Sequence, residues 1–151
     1  MSFGPRAALT GMKKTHQGSC HCGAIRFECE LDLAAGTTRC NCGFCKKARW
    51  WMAFAKKSEL RLLQGADALT DYQYVTPPTP APFLHFEFCR HCGFRAFTRG
   101  GDLPALGGEF YAVNVACLDG VSDEELAALP IHYADGRHDA WDKTPVETRY
   151  L

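Results

Sequence analysis

The stretch GSCHCGAIRFECEL, residues 18–31, decides the fold. Its first half sets Cys20 and Cys22 one residue apart and follows them with Gly23. A C-x-C pair is badly placed for a disulfide, which needs Cα atoms about 5.5 Å apart and suitably aimed Cβ vectors. A glycine directly after the second cysteine lets the backbone turn so that its amides face the sulfurs. In the second half Ile25, Phe27, Cys29 and Leu31 alternate with Arg26, Glu28 and Glu30. That period of two predicts a half-buried strand. A thiol-bearing turn that feeds a strand points to a β-rich, metal-stabilised domain.

The same pattern returns downstream. In FLHFEFC, Leu84, Phe86 and Phe88 alternate with His85 and Glu87 and deliver the chain to Cys89; Cys92 and Gly93 follow. One C-x-C and one C-x-x-C compose a two-knuckle site of Cys20, Cys22, Cys89 and Cys92, for which zinc is the natural occupant because thiolates are soft ligands and structural zinc takes four in a tetrahedron. Between the knuckles lies RCNCGFC, with Cys40, Cys42 and Cys45. Seven clustered cysteines therefore divide as four plus three. Three thiolates from one loop leave a fourth metal corner for water or a substrate thiol, the arrangement of a catalytic zinc. Two other readings stand beside it: a closed structural site completed by His21, His91 or His132, and a metal-free cluster of reactive thiols. Cys29 and Cys117 share apolar faces with Phe27 and with Val113 and Val115, and read as core.

The remaining chain supports one domain. At 151 residues a second is not expected. A 46% hydrophobic, 23% charged composition is that of a globular protein. Lys+Arg and Asp+Glu balance at 17 each, which argues against nucleic acid or an acidic membrane as the main partner. No run is long and apolar enough for a membrane span. The first residues lack the apolar core of a signal peptide, so nine cysteines read as reduced thiols of a cytoplasmic protein. Residues 1–17 read as a flexible N-terminal segment, with Met12 as a second possible start, and 18–151 as the zinc domain. WWMAFA, KKSELRLLQG, TDYQYV, FRAFTRG and EFYAVNVACL read as further strands, and TPPTPAPF as an exposed loop. SDEELAAL is the one clear helix, with Ser122 as N-cap, Glu125 completing a capping box and Pro130 ending it.

Taken in order, GSCHCGAIRFE, CNCGFC followed by KK, and FCRHCG resemble the glutathione-dependent formaldehyde-activating enzyme family, which shares its domain with the centromere protein V group. YAVNVACLDG and HYADGRHDAW are similar to the family's last strands and closing segment. The resemblance implies a mainly β fold of the β-tent type and two zinc ions per chain. One is structural, at Cys20, Cys22, Cys89 and Cys92; the other is the site of chemistry, at Cys40, Cys42 and Cys45. It also implies a carbon–sulfur lyase that joins a thiol such as glutathione to formaldehyde or another small aldehyde. KKARWW departs from the family's small residues after the third cluster, placing Arg49 and Trp50 beside the open metal corner. Lys46, Lys47 and Arg49 stand where they would offset the charge of three thiolates. The alternative function is a zinc-stabilised binding module for protein or nucleic acid. The sequence carries no signal of oligomeric state.

Overall fold

The computed structural model describes residues 12–74 and 83–151. The expected leader at 1–11 and nearly all of the proline-rich connection lie outside the described residues. In chain order the strands are β1 (Lys14–Ser19), β2 (Arg26–Leu31), β3 (Thr37–Cys40), β4 (Trp51–Lys56), β5 (Leu60–Gln64), β6 (Leu69–Tyr74), β7 (Leu84–Cys89), β8 (Phe97–Leu103), β9 (Gly108–Asn114), β10 (Leu118–Asp119) and β11 (Ile131–Ala134). The helices are α1 (Gly43–Ala48) and α2 (Asp123–Ala128). A four-stranded sheet runs β10-β1-β2-β5, and a seven-stranded sheet runs β11-β3-β4-β9-β8-β7-β6. Pairings are antiparallel except for β11, which lies parallel to β3. The architecture is mainly β, as the alternation predicts.

Three features differ from the sequence reading. The strand region begins before Gly18: Lys14 to Gln17 pair in register with β2, so residues 14–17 belong to the sheet and not to a flexible lead. The run 109–118 is not one strand, because a tight turn at Val115–Cys117 sends β9 and β10 to different sheets. The segment that carries Cys40, Cys42 and Cys45 runs from the end of β3 into α1 where a loop was expected. Cys42 is its N-cap, and Lys46 and Lys47 lie in its last turn, where cations complement the helix dipole. Arg49 ends it in the left-handed region at φ 53°. The capping box at Ser122 and Glu125 is present as read.

The two sheets share a core. Ile25, Phe27 and Leu31 from the smaller sheet meet Ala53, Ala55, Phe97 and Val113 from the larger. Phe27 contacts Phe97 edge-on at 5.4 Å between ring centroids, a favoured aromatic geometry. The larger sheet is also covered on its other face, where Trp50, Met52 and Ala112 form a second cluster with Phe54 and Trp141. Burial on both faces explains why WWMAFA reads as a continuous apolar run without alternation. Thr37 is fully buried between strands; its hydroxyl donates to the Pro130 carbonyl at 2.9 Å and accepts from Trp51 Nε1 at 2.7 Å.

Gly18 sits opposite Phe27 in the β1–β2 pairing, and a Cβ there would lie 2.3 Å from Phe27 Cζ. Gly18→Ala forces the ring or the strand to move. It should lower unfolding free energy by about 1–3 kcal/mol in urea titrations.

Candidate metal centres

Cys20 and Cys22 lie in the turn between β1 and β2, Cys89 at the end of β7, and Cys92 in the turn that follows. Their sulfurs all lie within 4.8 Å of one another. Cys20 Sγ is 3.6 Å from Cys22 Sγ, and Cys22 Sγ is 3.7 Å from Cys89 Sγ. A tetrahedron of about 2.3 Å metal–sulfur bonds has edges of about 3.8 Å, so the spacing fits a zinc-sized ion. Gly23 and Gly93 adopt φ of 76° and 71°, the positive-φ turns their positions predict. The Ile25 amide donates to Cys20 Sγ at 3.3 Å. Backbone donors also lower the Cys92 thiol to about 6, chiefly the amides of Cys22 and Phe94. At Cys22 the Ala24 amide lowers the thiol, but burial and the neighbouring thiols outweigh it and raise it to about 12. Cys29 and Cys117 are buried in the shared core and join neither group of sulfurs.

The second cluster is built by the β3–α1 junction. Cys40 ends the strand with 1% exposure, Cys42 caps the helix and Cys45 lies in its first turn. The Cys42 amide donates to Cys40 Sγ at 3.3 Å and the Cys45 amide to Cys42 Sγ at 3.5 Å. The three sulfurs lie within 4.8 Å of one another, and among the described residues no fourth His, Cys, Asp or Glu joins them. Hydrogen bonds from the Cys40 and Cys45 thiols hold Cys42 far below the usual thiol range. The hydrogen bond with Cys42 pushes Cys40 up to about 11, and those with Cys40 and Cys42, together with burial, push Cys45 up further. One thiolate held by two thiols is a donor set whose protons a cation displaces on binding.

None of the three histidines completes this cluster. His132 Nε2 donates to the Trp141 carbonyl at 3.1 Å, a structural bond, while His21 and His91 are exposed on the four-sulfur turns. Instead the segment after β11 packs on the sulfurs. Asn41, 3% exposed, donates to Asp135 Oδ1 at 2.6 Å and accepts from the Arg137 amide at 2.9 Å. These bonds hold Gly136 against the cluster, where an added Cβ would lie 2.5 Å from Cys40 Sγ and 2.7 Å from the Trp141 ring. Asn41 directly follows Cys40 in the chain, but only the fold brings Gly136 to it.

The two sides of the cluster differ. On one, Arg39, Lys46 and Arg49 gather with Cys40 and Cys45 around a small recess. Lys46 lies over the Tyr150 ring at 5.2 Å, and Arg49 donates to the Tyr150 carbonyl. Lys47 does not line this recess, whereas Arg39, which the sequence reading did not single out, does. On the other side, Cys42 and Cys45 border a cavity of about 90 Å³ walled by Phe44, Trp50, Phe86, Phe110 and Trp141.

The profile of the family described as "Glutathione-dependent formaldehyde-activating enzyme" matches residues 15–133. A crystal structure of a Rhodobacter sphaeroides protein is similar to this chain at 37% identity and a TM-score of 0.61, covering 77% of this chain and 99% of that one. The chain belongs to the glutathione-dependent formaldehyde-activating enzyme family. Among the described residues no helix is long and apolar enough to cross a membrane.

Gly136→Ala should weaken metal binding at Cys40, Cys42 and Cys45 at least tenfold and leave the four-cysteine cluster unchanged. Stepwise competition with a chromogenic chelator separates the two.

Proposed function

We propose that this member of the family adds a thiol to a small aldehyde at Cys40, Cys42 and Cys45, with one zinc ion held there and a second at Cys20, Cys22, Cys89 and Cys92. The observation that carries the reading is the convergence of three sulfurs with no fourth protein donor among the described residues. A fully ligated structural site needs four donors; three leave a corner for an exogenous ligand. The family's named pair, glutathione and formaldehyde, sets the reaction class: a carbon–sulfur bond forms between thiol and carbonyl.

Zinc on this donor set supplies a Lewis-acid position that favours the thiolate form of a bound thiol near neutral pH, where a free thiol is mostly protonated. The chain's own residues do the rest. The Cys42 and Cys45 amides fix the sulfurs through N–H···S bonds and draw charge from them. Arg39, Lys46 and Arg49 offset the net negative charge of three thiolates around a dication and attract a thiol that carries a carboxylate. Trp50, 4% exposed, and Phe44 limit water on the other side. The described cysteines are all free thiols, which fits work in the reducing cytoplasm.

Elemental analysis of purified chain should give two equivalents of zinc. Cys42→Ala should give one equivalent, an unchanged circular dichroism spectrum, and thiol–aldehyde adduct formation reduced at least 100-fold. Cys89→Ala should instead lose cooperative thermal unfolding, since its sulfur joins the two sheets. One equivalent in both the parent chain and Cys42→Ala would overturn the reading.

A further inference from the structure

The cavity beside Cys42 and Cys45 is larger and more apolar than formaldehyde requires. Its floor is one face of the seven-stranded sheet. Register places Thr38 opposite Met52, Phe54 opposite Ala112, and Ala112 opposite Thr98, so these side chains cross from β3 to β8 on the face away from the main core. Phe44 of α1 stacks on Phe86 of β7 at 3.6 Å between centroids and roofs it. At about 90 Å³ the space holds roughly six water-sized groups, yet its walls offer water little to bond.

One polar atom in this wall has no partner. Thr98 is 3% exposed, and its hydroxyl makes no hydrogen bond. That oxygen is itself closed off from the cavity, so the wall offers an occupant apolar contact alone. Thr98 lies three strand spacings from β3, about 14 Å across the sheet from the strand that ends in Cys40. A molecule that runs from the sulfurs along this floor is therefore elongated. The recess of Arg39, Lys46 and Arg49 gives the opposite side of the cluster to an anionic molecule, so the apolar side suits an uncharged one.

We propose that the cavity takes the hydrocarbon chain of an aldehyde of about six carbons. The assignment rests on the thiol-addition reading and names its carbonyl partner. In the reaction the thiol sulfur bonds to the aldehyde carbon, the C=O π bond opens, and the thiol proton ends on the former carbonyl oxygen. The product is a hemithioacetal; no oxidant or reductant takes part.

Trp50 and Trp141 line the cavity and report its occupancy by fluorescence. Zinc-loaded chain would be titrated with alkan-2-ones from propanone to nonan-2-one, which carry the chain and a carbonyl. Affinity should rise about fourfold per methylene until the cavity is filled, then level off. Ala112→Leu, which fills the floor, should abolish this chain-length dependence while zinc content stays at two equivalents. Should Ala112→Leu fail to fold, the smaller Ala112→Val decides: its series should level off at least one methylene earlier than that of the parent chain. A flat chain-length series in the parent chain, or an unchanged series in a folded Ala112 variant, overturns the proposal. Adduct assays with glutathione keep the two readings apart. Chain-length-dependent binding without adduct from any alkanal sinks the addition reaction but supports the cavity. Adduct from formaldehyde with a flat fluorescence series does the reverse.

Discussion

Four sulfurs converge where the two sheets meet at one end. Cys20 and Cys22 belong to the first hairpin of the four-stranded sheet, Cys89 to the seven-stranded one, and Cys92 to the turn after it. Cys22 Sγ lies 3.6 Å from Cys20 Sγ and 3.7 Å from Cys89 Sγ. The smaller sheet contributes few large side chains to the shared core, chiefly Ile25, Phe27 and Leu31. Metal at such a junction matters on the scale of the whole fold: structural zinc contributes about 10–16 kcal/mol in zinc-finger peptides, against a net stability of about 5–15 kcal/mol for a domain. The proposed ion at this junction would be a condition of the sheet packing and not an ornament on it.

The junction also supports the second cluster. Phe86 stands three residues before Cys89 in β7 and stacks on Phe44, which lies between Cys42 and Cys45 in α1. Arg95, three residues after Cys92, lies over the rings of both Phe44 and Phe88 at 5.3 and 5.2 Å. The strand and turn that carry two sulfurs of one cluster thus press on the helix that carries two sulfurs of the other. A helix of six residues is too short to be stable alone. It is fixed at one end by its own cysteine cap and on its face by the aromatic stack.

The sequence was most legible where one residue type has one physical use. Alternation in AIRFECEL placed β2, glycines after C-x-C and C-x-x-C placed the positive-φ turns, and Ser122 with Glu125 placed the start of α2. α1 was missed because its cap is a cysteine, so the residues that mark a metal knuckle also begin the helix, and no Ser, Thr, Asp or Asn announces it. The 109–118 run misled because Asn114 turns the chain with its own side chain, accepting from the Ala116 amide at 3.1 Å, inside an otherwise strand-like pattern. Gly136 was illegible for another reason: it matters only through a neighbour distant in sequence. Gly136 meets Cys40 because β11 returns parallel to β3, a pairing that nothing local predicts.

That parallel return gives the three-sulfur cluster two unlike sides. Three thiolates around a divalent ion carry a net negative charge, which in an apolar pocket would be costly. Here the cluster is half-embedded, with Cys40 buried and Cys42 and Cys45 partly open. Cations gather on the side of β3 and the end of α1, and aromatic rings on the side of the sheet face. The field therefore falls off unevenly, strong toward Arg39, Lys46 and Arg49 and weakly solvated toward Phe44 and Trp141. In the proposed reaction an ionising thiol would be best served from the first side, and a neutral electrophile would lose least by desolvation on the second. Trp50, which follows Arg49 directly, lines both recesses and forms part of the partition between them. The bulky KKARWW run beside the sulfurs is thus the wall that keeps charge on one side of the cluster and apolar space on the other.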